Sequence, residues 1–446
     1  MPATLCSLFP ASVRRSLAGG LILAAMMMVA AGLLGAPLAT HWPGLAYWCA
    51  ATLLWPGLAH RNRTQALVLL LVGGACLAWS AGQGAEVDPA RLVAGNSGLL
   101  SMLVAVSFLS LVSRPHTGDE ERAPQGRRAL ASTLAAVHLF GSVINLSSVF
   151  IIGDRLARRG SVTREQALAL IRSFTAAAFW SPFFGAMAVS LSVAPEARLP
   201  TLWLVSMPLA LCSLLLTGWQ LGRRQAHGEN APVAEFTGYP LQAGGLLLPG
   251  LLAAAVLALH QWQPQLSILA VITLLAPALT LLILAIRRQR PLAAVRGLVN
   301  DRLPQMGNEL ALFLAAGVLG YGLETLFASL GGSLPLTQFG AQEASVTYLA
   351  TVLLALLGIH PIICISLAGA VLMPLAPDHT LLALVFLSSW AVGTATGPLS
   401  GINLAFQGRY GLDSFSIMRW NLGYAAVMSA LVVVGIFVLA ALTGLA

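Results

Sequence analysis

Residues 379–406 read HTLLALVFLSSWAVGTATGPLSGINLAF and contain no Asp, Glu, Lys or Arg. About 20 apolar residues are enough for an α-helix to cross the roughly 30 Å hydrocarbon core of a bilayer. Gly397 and Pro398 nevertheless interrupt the run, because proline removes a backbone donor and clashes with the preceding helical turn. Broken backbone at membrane depth is tolerated where protein or a wet cavity surrounds it. The stretch therefore predicts a membrane helix that breaks near its middle.

The whole chain is apolar enough to make the bilayer its solvent. Its 446 residues are 57% hydrophobic and 9% charged, with a mean hydropathy of +0.82, and no water-soluble fold could bury this much apolar surface. All 24 basic residues are Arg, and they lie in short loops between apolar runs. This distribution is typical of membrane topology signals and does not indicate a nucleic-acid partner.

The sequence offers no motif for a cofactor or a metal. Its five cysteines are an odd number, are widely spaced and include no Cys-x-x-Cys pair, which supports neither a metal site nor a disulfide framework. A phosphate loop, a His-Glu-x-x-His motif and a Gly-x-Ser-x-Gly motif are also missing from the sequence. We therefore expect no cofactor, no ATP hydrolysis within this chain and no enzymatic activity.

The distribution of arginine predicts the topology of thirteen apolar runs. If all thirteen simply crossed the membrane, 11 arginines would lie inside and 13 outside. If 129–152 and 345–372 are instead re-entrant hairpins, one from each side, 22 lie inside and only Arg91 and Arg198 lie outside. Cytoplasmic loops of inner-membrane proteins carry the arginine excess, so two hairpins and eleven spans are predicted. The spans are 17–36, 43–59, 65–82, 96–113, 174–194, 200–219, 243–260, 266–286, 304–331, 379–406 and 420–445.

The predicted fold is thus an all-α polytopic protein of the cell inner membrane, with about eleven transmembrane helices and two re-entrant hairpins. We expect a single membrane domain over residues 1–446 and a cytoplasmic N-terminus. Residues 17–36 are expected to form an extra N-terminal helix, since about 20 apolar residues are long for the apolar region of a signal peptide.

An internal repeat is predicted from an alignment of the chain with itself. The alignment that pairs Asn145 with Pro361 at the hairpin centres also pairs two Pro-x-x-Gly breaks, which begin at Pro182 and Pro398. The repeats run over 43–219 and 243–445, and the first has five spans, so the second is inverted. Inverted repeats with broken helices are a signature of secondary transporters, in which the breaks form the site near the midplane.

This organisation resembles the ion transporter superfamily, in particular the divalent anion/sodium symporters and, less closely, the membrane subunit of the TRAP dicarboxylate transporters. Residues 358–361 (Gly-Ile-His-Pro) and 397–404 (Gly-Pro-Leu-Ser-Gly-Ile-Asn-Leu) are similar to hairpin and broken-helix motifs of such carriers. The symporters carry Ser-Asn-Thr at both hairpin tips, which this chain lacks, so their sodium sites and dicarboxylate specificity do not carry over. The resemblance implies an elevator-type carrier that forms a homodimer.

Candidate substrate-binding residues lie at the hairpin centres and the helix breaks. Polar groups beside a half-helix with free N–H groups favour anions, and carbonyls freed at a break can coordinate a cation or a polar ligand. A histidine at a hairpin centre could bind substrate or carry a proton. The alternative roles are interhelical hydrogen bonding, a passive kink and packing. The candidates are Asn145, Ser147, Ser148, Ser181, Pro182, Gly358, His360, Pro361, Thr394, Thr396, Gly397, Pro398 and Asn403.

Glu309 and Glu324 are the candidates for ion coupling, because each lies inside an apolar run, where an ionisable group is costly. The alternative is that each side chain reaches water at its end of the helix. Gly320 and Gly322 precede Glu324 and could let another segment, such as the outer hairpin, approach closely.

Asp154, His138 and residues 162–173 also carry predictions. Asp154 is expected to form a surface ion pair with Arg155, and His138 is a weaker site candidate. Residues 162–173 are expected to form a short interfacial helix on the cytoplasmic side, because Thr163 and Gln166 have capping-box spacing.

The sequence therefore predicts a secondary active transporter that couples a small, anionic solute to a proton or sodium gradient. The alternative is a membrane-embedded enzyme or lipid-modifying protein that uses His360 and the buried glutamates as acid and base. Its catalytic residues would have to cluster near one membrane face, whereas the candidates are scattered along the sequence.

Overall fold

A computed structural model describes residues 10–112, 124–144, 146–158, 160–226, 236–241, 247–330 and 338–445. These residues are almost wholly helical, and the β-type pairing among them is a single bridge between Gln125 and Thr237. The helices are α1 (Ala11–Leu33), α2 (His41–Leu54), α3 (His60–Gly82), α4 (Pro89–Ala94), α5 (Ser97–Ser107), α6 (Gly126–Ile144), α7 (Leu146–Ala157), α8 (Arg164–Ala176), α9 (Gly185–Val193), α10 (Leu199–Ala226), α11 (Leu247–Trp262), α12 (Ile268–Ile286), α13 (Pro291–Gly297), α14 (Gly307–Ser329), α15 (Ala341–Leu356), α16 (Pro361–Leu372), α17 (His379–Thr396), α18 (Gly401–Tyr410) and α19 (Ser414–Thr443).

The predicted fold class, an all-α polytopic membrane protein, is confirmed. Among the described residues, eight helical stretches are long and apolar enough to cross a membrane. Large apolar side chains such as Leu71, Leu211 and Val434 are exposed on them, which suits contact with lipid. The stretches are Ala11–Leu33, His60–Gly82, Pro89–Leu111, Leu199–Arg223, Ile268–Ile286, Pro291–Ser329, His379–Tyr410 and Ser414–Thr443.

The remaining predicted segments coincide with shorter helices. The predicted spans 43–59 and 243–260 fall on α2 and α11, and the predicted span 174–194 falls on the end of α8 and on α9. The segments predicted as hairpins each contain two helices that meet near the expected centre, α6 with α7 and α15 with α16.

The chain forms two compact units. Unit 1 comprises residues 1–112, 252–337 and 366–374, and unit 2 comprises 113–251, 338–365 and 375–446.

In unit 1 the backbones of α3 and α14 cross closely at Gly73 and Gly322. A Cβ at Gly73 would lie 2.7 Å from the Val318 carbonyl oxygen, and one at Gly322 would overlap the Gly73 carbonyl. Gly322 therefore admits α3, not the outer hairpin that the sequence suggested.

Unit 2 is built around α17. Every residue from Thr380 to Gly393 is buried, and α17 packs against α8, α9, α10, α15 and α19.

The positions at which helices begin in the second half of the chain match those in the first half. The alignment that pairs Pro182 with Pro398 also pairs the first residues of α9 and α18. It pairs the first residues of α6 with α15, and of α10 with α19, to within a single position.

The prediction of an interfacial helix at residues 162–173 is wrong. The capping box is present, because the Thr163 hydroxyl accepts the Gln166 N–H and the Gln166 side chain accepts the Thr163 N–H. The helix α8 that follows is buried from Gln166 to Ala176. It forms the first half of the broken helix whose second half is α9.

The stretch 236–241, here called the strap, is hydrogen-bonded to the beginning of α6. The Tyr239 N–H donates to the Thr133 hydroxyl at 2.7 Å, and the Ser132 hydroxyl donates to the Tyr239 carbonyl at 2.9 Å. The Gln166 side chain of α8 donates to the Thr237 carbonyl at 2.9 Å. The strap therefore ties α6 and α8 together on one side of unit 2.

Candidate functional site

The break between α17 and α18 places polar groups in the buried part of the second repeat. Helix α17 ends at Thr396 and α18 begins at Gly401. Thr396, Gly397 and Pro398 are buried, whereas Thr394 is partly exposed. The Thr396 hydroxyl donates to the Val392 carbonyl at 2.7 Å, so it is used within its own helix. Pro398 has no N–H to offer to the carbonyl of Thr394.

Asn403 supplies a side-chain donor to two carbonyls at the break. Its Nδ2 donates to the Gly397 carbonyl at 2.9 Å and to the Ala395 carbonyl at 3.3 Å, and the residue is fully buried. Since both neighbours are acceptors, the amide nitrogen must face them. The amide oxygen Oδ1 is buried and has no hydrogen-bond partner. A buried acceptor without a donor is costly, so Oδ1 is a position where a cation or a ligand donor would be favoured.

The turn of the second hairpin packs on this break. A Cβ at Gly397 would lie 2.8 Å from the Ala355 carbonyl oxygen, so only glycine fits between α15 and α17. Gly358 has φ +95°, a left-handed value that favours glycine. The His360 ring meets the Trp390 ring edge-on with centroids 5.7 Å apart, and Pro361 begins α16. Helix α15 thus packs on the break at Gly397, and His360 of the turn packs on α17 at Trp390, seven residues before Gly397.

The first break is bonded to its own hairpin. The Ser181 hydroxyl donates to the Ser142 carbonyl near the end of α6 and accepts the Phe183 N–H at 3.2 Å. Pro182 is buried beside it, and Ser148 is buried in α7. Asn145 lies outside the described residues, and the side chain of Ser147 is also outside them.

His138 is buried and connects α6 to α8 and to Trp180, although the sequence made it only a weaker site candidate. Its Nε2 accepts the Trp180 indole N–H at 3.0 Å, and its Nδ1 lies 3.0 Å from the Ser173 carbonyl. Indole can only donate and a carbonyl can only accept, so the ring is neutral with its hydrogen on Nδ1. The Trp203 indole donates to the Trp180 carbonyl at 2.9 Å. Histidine within an apolar run was the available signal.

Two serines at equivalent repeat positions carry buried hydroxyls that have no hydrogen-bond partner. Ser173 in α8 and Ser389 in α17 are paired by the same alignment that pairs the two prolines, and both side chains are fully buried. Each lies nine positions before the proline of its break. The neighbouring Ser388 has the same unsatisfied hydroxyl.

Arg172 is buried among neutral groups. Its guanidinium donates to Asn421 Oδ1 at 2.7 Å, to Gln220 Oε1 at 2.8 Å and to the Trp420 carbonyl at 3.2 Å. It also lies 4.5 Å from the centroid of the Tyr424 ring. These contacts join α8, α10 and α19, and they explain how an arginine can lie inside unit 2.

The two candidate glutamates belong to unit 1. Glu324 is not an isolated carboxylate, because its side chain pairs with Arg91 at 2.7 Å. The coupling role was predicted for a carboxylate without a partner, and Glu324 has one. Glu309 lies in the first turn of α14, where the positive end of the helix dipole favours a carboxylate.

Asp154 pairs with a different arginine from the one that the sequence suggested. Its partner is Arg409 of α18, 255 residues away, and not the adjacent Arg155. Arg155 instead lies over the Tyr239 ring of the strap, 5.3 Å from its centroid. The ion pair thus joins the first hairpin to the second broken helix.

Within the described part of the chain, no group of three or more His, Cys, Asp or Glu side chains is placed to hold a metal ion. The polar atoms at the breaks are amide, hydroxyl and carbonyl groups. Oxygen ligands of this kind suit hard cations and hydrogen-bonded solutes.

Comparison with known proteins gives likenesses to solved structures, but none to a family model or a curated sequence. No protein-family model matches the sequence, and no curated protein matches it. The fold is similar to the crystal structure of the YdaH transporter of Alcanivorax borkumensis, with a TM-score of 0.49 and 16% sequence identity. The match covers 85% of this chain and 98% of the other.

Proposed function

We propose that this chain is a secondary active transporter of the inner membrane, with a cytoplasmic N-terminus, that moves a small anionic solute. The observation that carries the proposal is the pair of helices broken at Pro182 and Pro398, each with a hairpin packed on its break. Broken helices of this kind present half-helix ends and freed carbonyls to substrates and coupling ions. The single alignment that matches helix starts in the two halves supports an inverted repeat.

The break at Asn403 is the favoured position for a coupling cation. Its buried Oδ1 has no hydrogen-bond donor, and a sodium ion or a protonated group of the substrate would satisfy it. The amide ends of α9 and α18 favour a negatively charged solute. Coupling of an anion to a sodium or proton gradient follows from these two preferences together.

The mechanism that we propose is elevator-type movement of the hairpin-bearing parts of the repeats in a homodimer. This rests on the likeness to ion transporter superfamily carriers in the arrangement of hairpins and breaks. The coupling role once expected of Glu324 is not part of the proposal, because Arg91 already neutralises that carboxylate.

The first test is a thermal-shift screen of the purified protein against organic and inorganic anions, with and without sodium. A transporter that binds both ligands should gain thermal stability from the correct anion, and sodium should increase that gain. The variant Asn403→Leu removes Oδ1 and should abolish the sodium-dependent part of the shift. An anion shift that is identical with and without sodium, at every pH, would refute cation coupling at Asn403. Chemical turnover of a bound compound in detergent would instead indicate an enzyme.

A further inference from the structure

The second arm of the first hairpin, α7, is fastened to α18 by a polar clasp made of Asp154, Arg409 and Tyr410. Asp154 Oδ1 accepts hydrogen bonds from Arg409 Nε at 2.6 Å and from the Tyr410 hydroxyl at 3.0 Å. Asp154 Oδ2 pairs with Arg409 Nη2. This bidentate arrangement is the most directional form of an arginine–carboxylate pair. The Arg409 guanidinium beside Asp154 holds the pKa of that carboxyl below its usual range, so the clasp is charged at neutral pH.

Close packing surrounds the clasp. A Cβ at Gly153 would overlap the Tyr410 hydroxyl, so the backbone of α7 lies directly against that side chain. Phe150 of α7 lies 6.4 Å from Phe406 of α18, and Phe406 lies 5.1 Å from Tyr410, measured between ring centroids. The arm and the half-helix therefore touch while the clasp is formed.

The two arms of this hairpin are held in different ways. The first arm, α6, is bonded along its length, through Thr133 to the strap, through His138 to α8 and through the Ser142 carbonyl to the first break. The ion pair that holds α7 lies at the far end of that arm. Just beyond it, Gly160 has φ +143°, a backbone conformation that glycine adopts readily.

We propose that the clasp is the closed state of a gate, and that its release lets α7 swing away from α18 and admits water to the hairpin centre at Ser148. This inference rests on the proposed transport function, because alternating access requires a barrier that opens. The Arg409 and Asp154 side chains are 52% and 37% exposed. Ion pairs this exposed stabilise a structure only slightly, which suits a contact that must break and reform in every cycle. Gly160 provides a hinge.

The test measures the accessibility of the hairpin centre and does not depend on transport. Ser148 is fully buried, so Ser148→Cys, placed in a background without the five native cysteines, should react slowly with a water-soluble maleimide. Adding Asp154→Asn or Arg409→Gln should raise the labelling rate by about two- to fivefold, the change expected from losing one partly exposed charged pair. Glu324→Gln is the matched control, because it breaks the similarly exposed pair with Arg91 in unit 1, and it should leave labelling unchanged.

Reversal of the pair gives a second check. The double variant Asp154→Arg with Arg409→Asp should return the labelling rate toward that of the parent, whereas a variant that merely misfolds should not be rescued. An unchanged rate in both Asp154→Asn and Arg409→Gln would overturn the clasp. So would an equal rise in Glu324→Gln.

The result is separable from the proposed function. If the clasp variants label faster but no anion flux is found in any variant, the gate stands and the transport proposal fails. If gradient-driven flux is found and labelling is unchanged, transport stands and the gate fails.

Discussion

Replacement of Asn403 by Ala should destabilise unit 2, because it removes a buried side-chain donor that bonds two backbone carbonyls at the second break. The amide is fully buried and bonds the Gly397 carbonyl at 2.9 Å and the Ala395 carbonyl at 3.3 Å. A buried acceptor left without a partner costs about 1–3 kcal/mol, and side-chain hydrogen bonds within membranes average about 0.6 kcal/mol. The Gly397 carbonyl keeps the Ser400 N–H as a partner at 3.0 Å. The cost therefore comes from the Ala395 carbonyl, and we expect a loss of about 1–2 kcal/mol in the free energy of unfolding.

The measurement is reversible unfolding of the purified protein in mixed micelles by titration with a denaturing detergent. The matched control is Asn308→Ala, since the Asn308 side chain accepts a single exposed bond from the Ala59 N–H at 3.1 Å. That variant should lose about 1 kcal/mol or less. If Asn403→Ala unfolds within about 0.5 kcal/mol of the parent, the amide does not cap the break, and the assignment of Oδ1 as a cation-facing atom loses its geometric basis.

Three further predictions concern the breaks, the topology and the packing of unit 1. Pro398→Ala restores an N–H for the carbonyl four residues earlier, and it should lower transport while leaving expression intact; unchanged flux would reduce the proline to a passive kink. A cysteine at Arg158 should be labelled by an impermeant reagent only from the cytoplasm and one at Gln342 only from outside, and labelling of the Arg158 position from outside would overturn the arginine-based topology. Gly322→Ala should cost about 1–3 kcal/mol in the free energy of unfolding, because its Cβ has no room against α3. Gly320→Ala, whose Cβ would meet nothing within 4 Å, should be neutral or stabilising, and equal effects of the two changes would contradict the close helix crossing.

The fold class could be predicted because it follows from local chemistry. Apolar runs of bilayer length predict membrane helices wherever they occur, and Pro398 marks the end of a helix because proline cannot continue the hydrogen-bond ladder. The structure has the corresponding helices, and α17 ends two residues before that proline.

The partners of charged residues could not be predicted because they are distant in sequence. Arg172 alternates with apolar residues and suggested an interfacial helix, but Gln220 and Asn421, 48 and 249 residues away, make its burial tolerable. The position of Glu324 inside an apolar run suggested a buried coupling carboxylate. In the structure Arg91, which is 233 residues earlier in the sequence, lies beside it. A single sequence read locally does not contain these pairings.

The central claim, gradient-driven transport, is tested most directly by uptake into proteoliposomes of the anion that gives the largest thermal shift. An inwardly directed sodium or proton gradient should drive its accumulation above the external concentration, and an ionophore that dissipates the gradient should release the excess. Accumulation should also be lost in Asn403→Leu while the protein remains folded. Uptake that only equilibrates the anion, whichever ion gradient is imposed, would contradict secondary active transport.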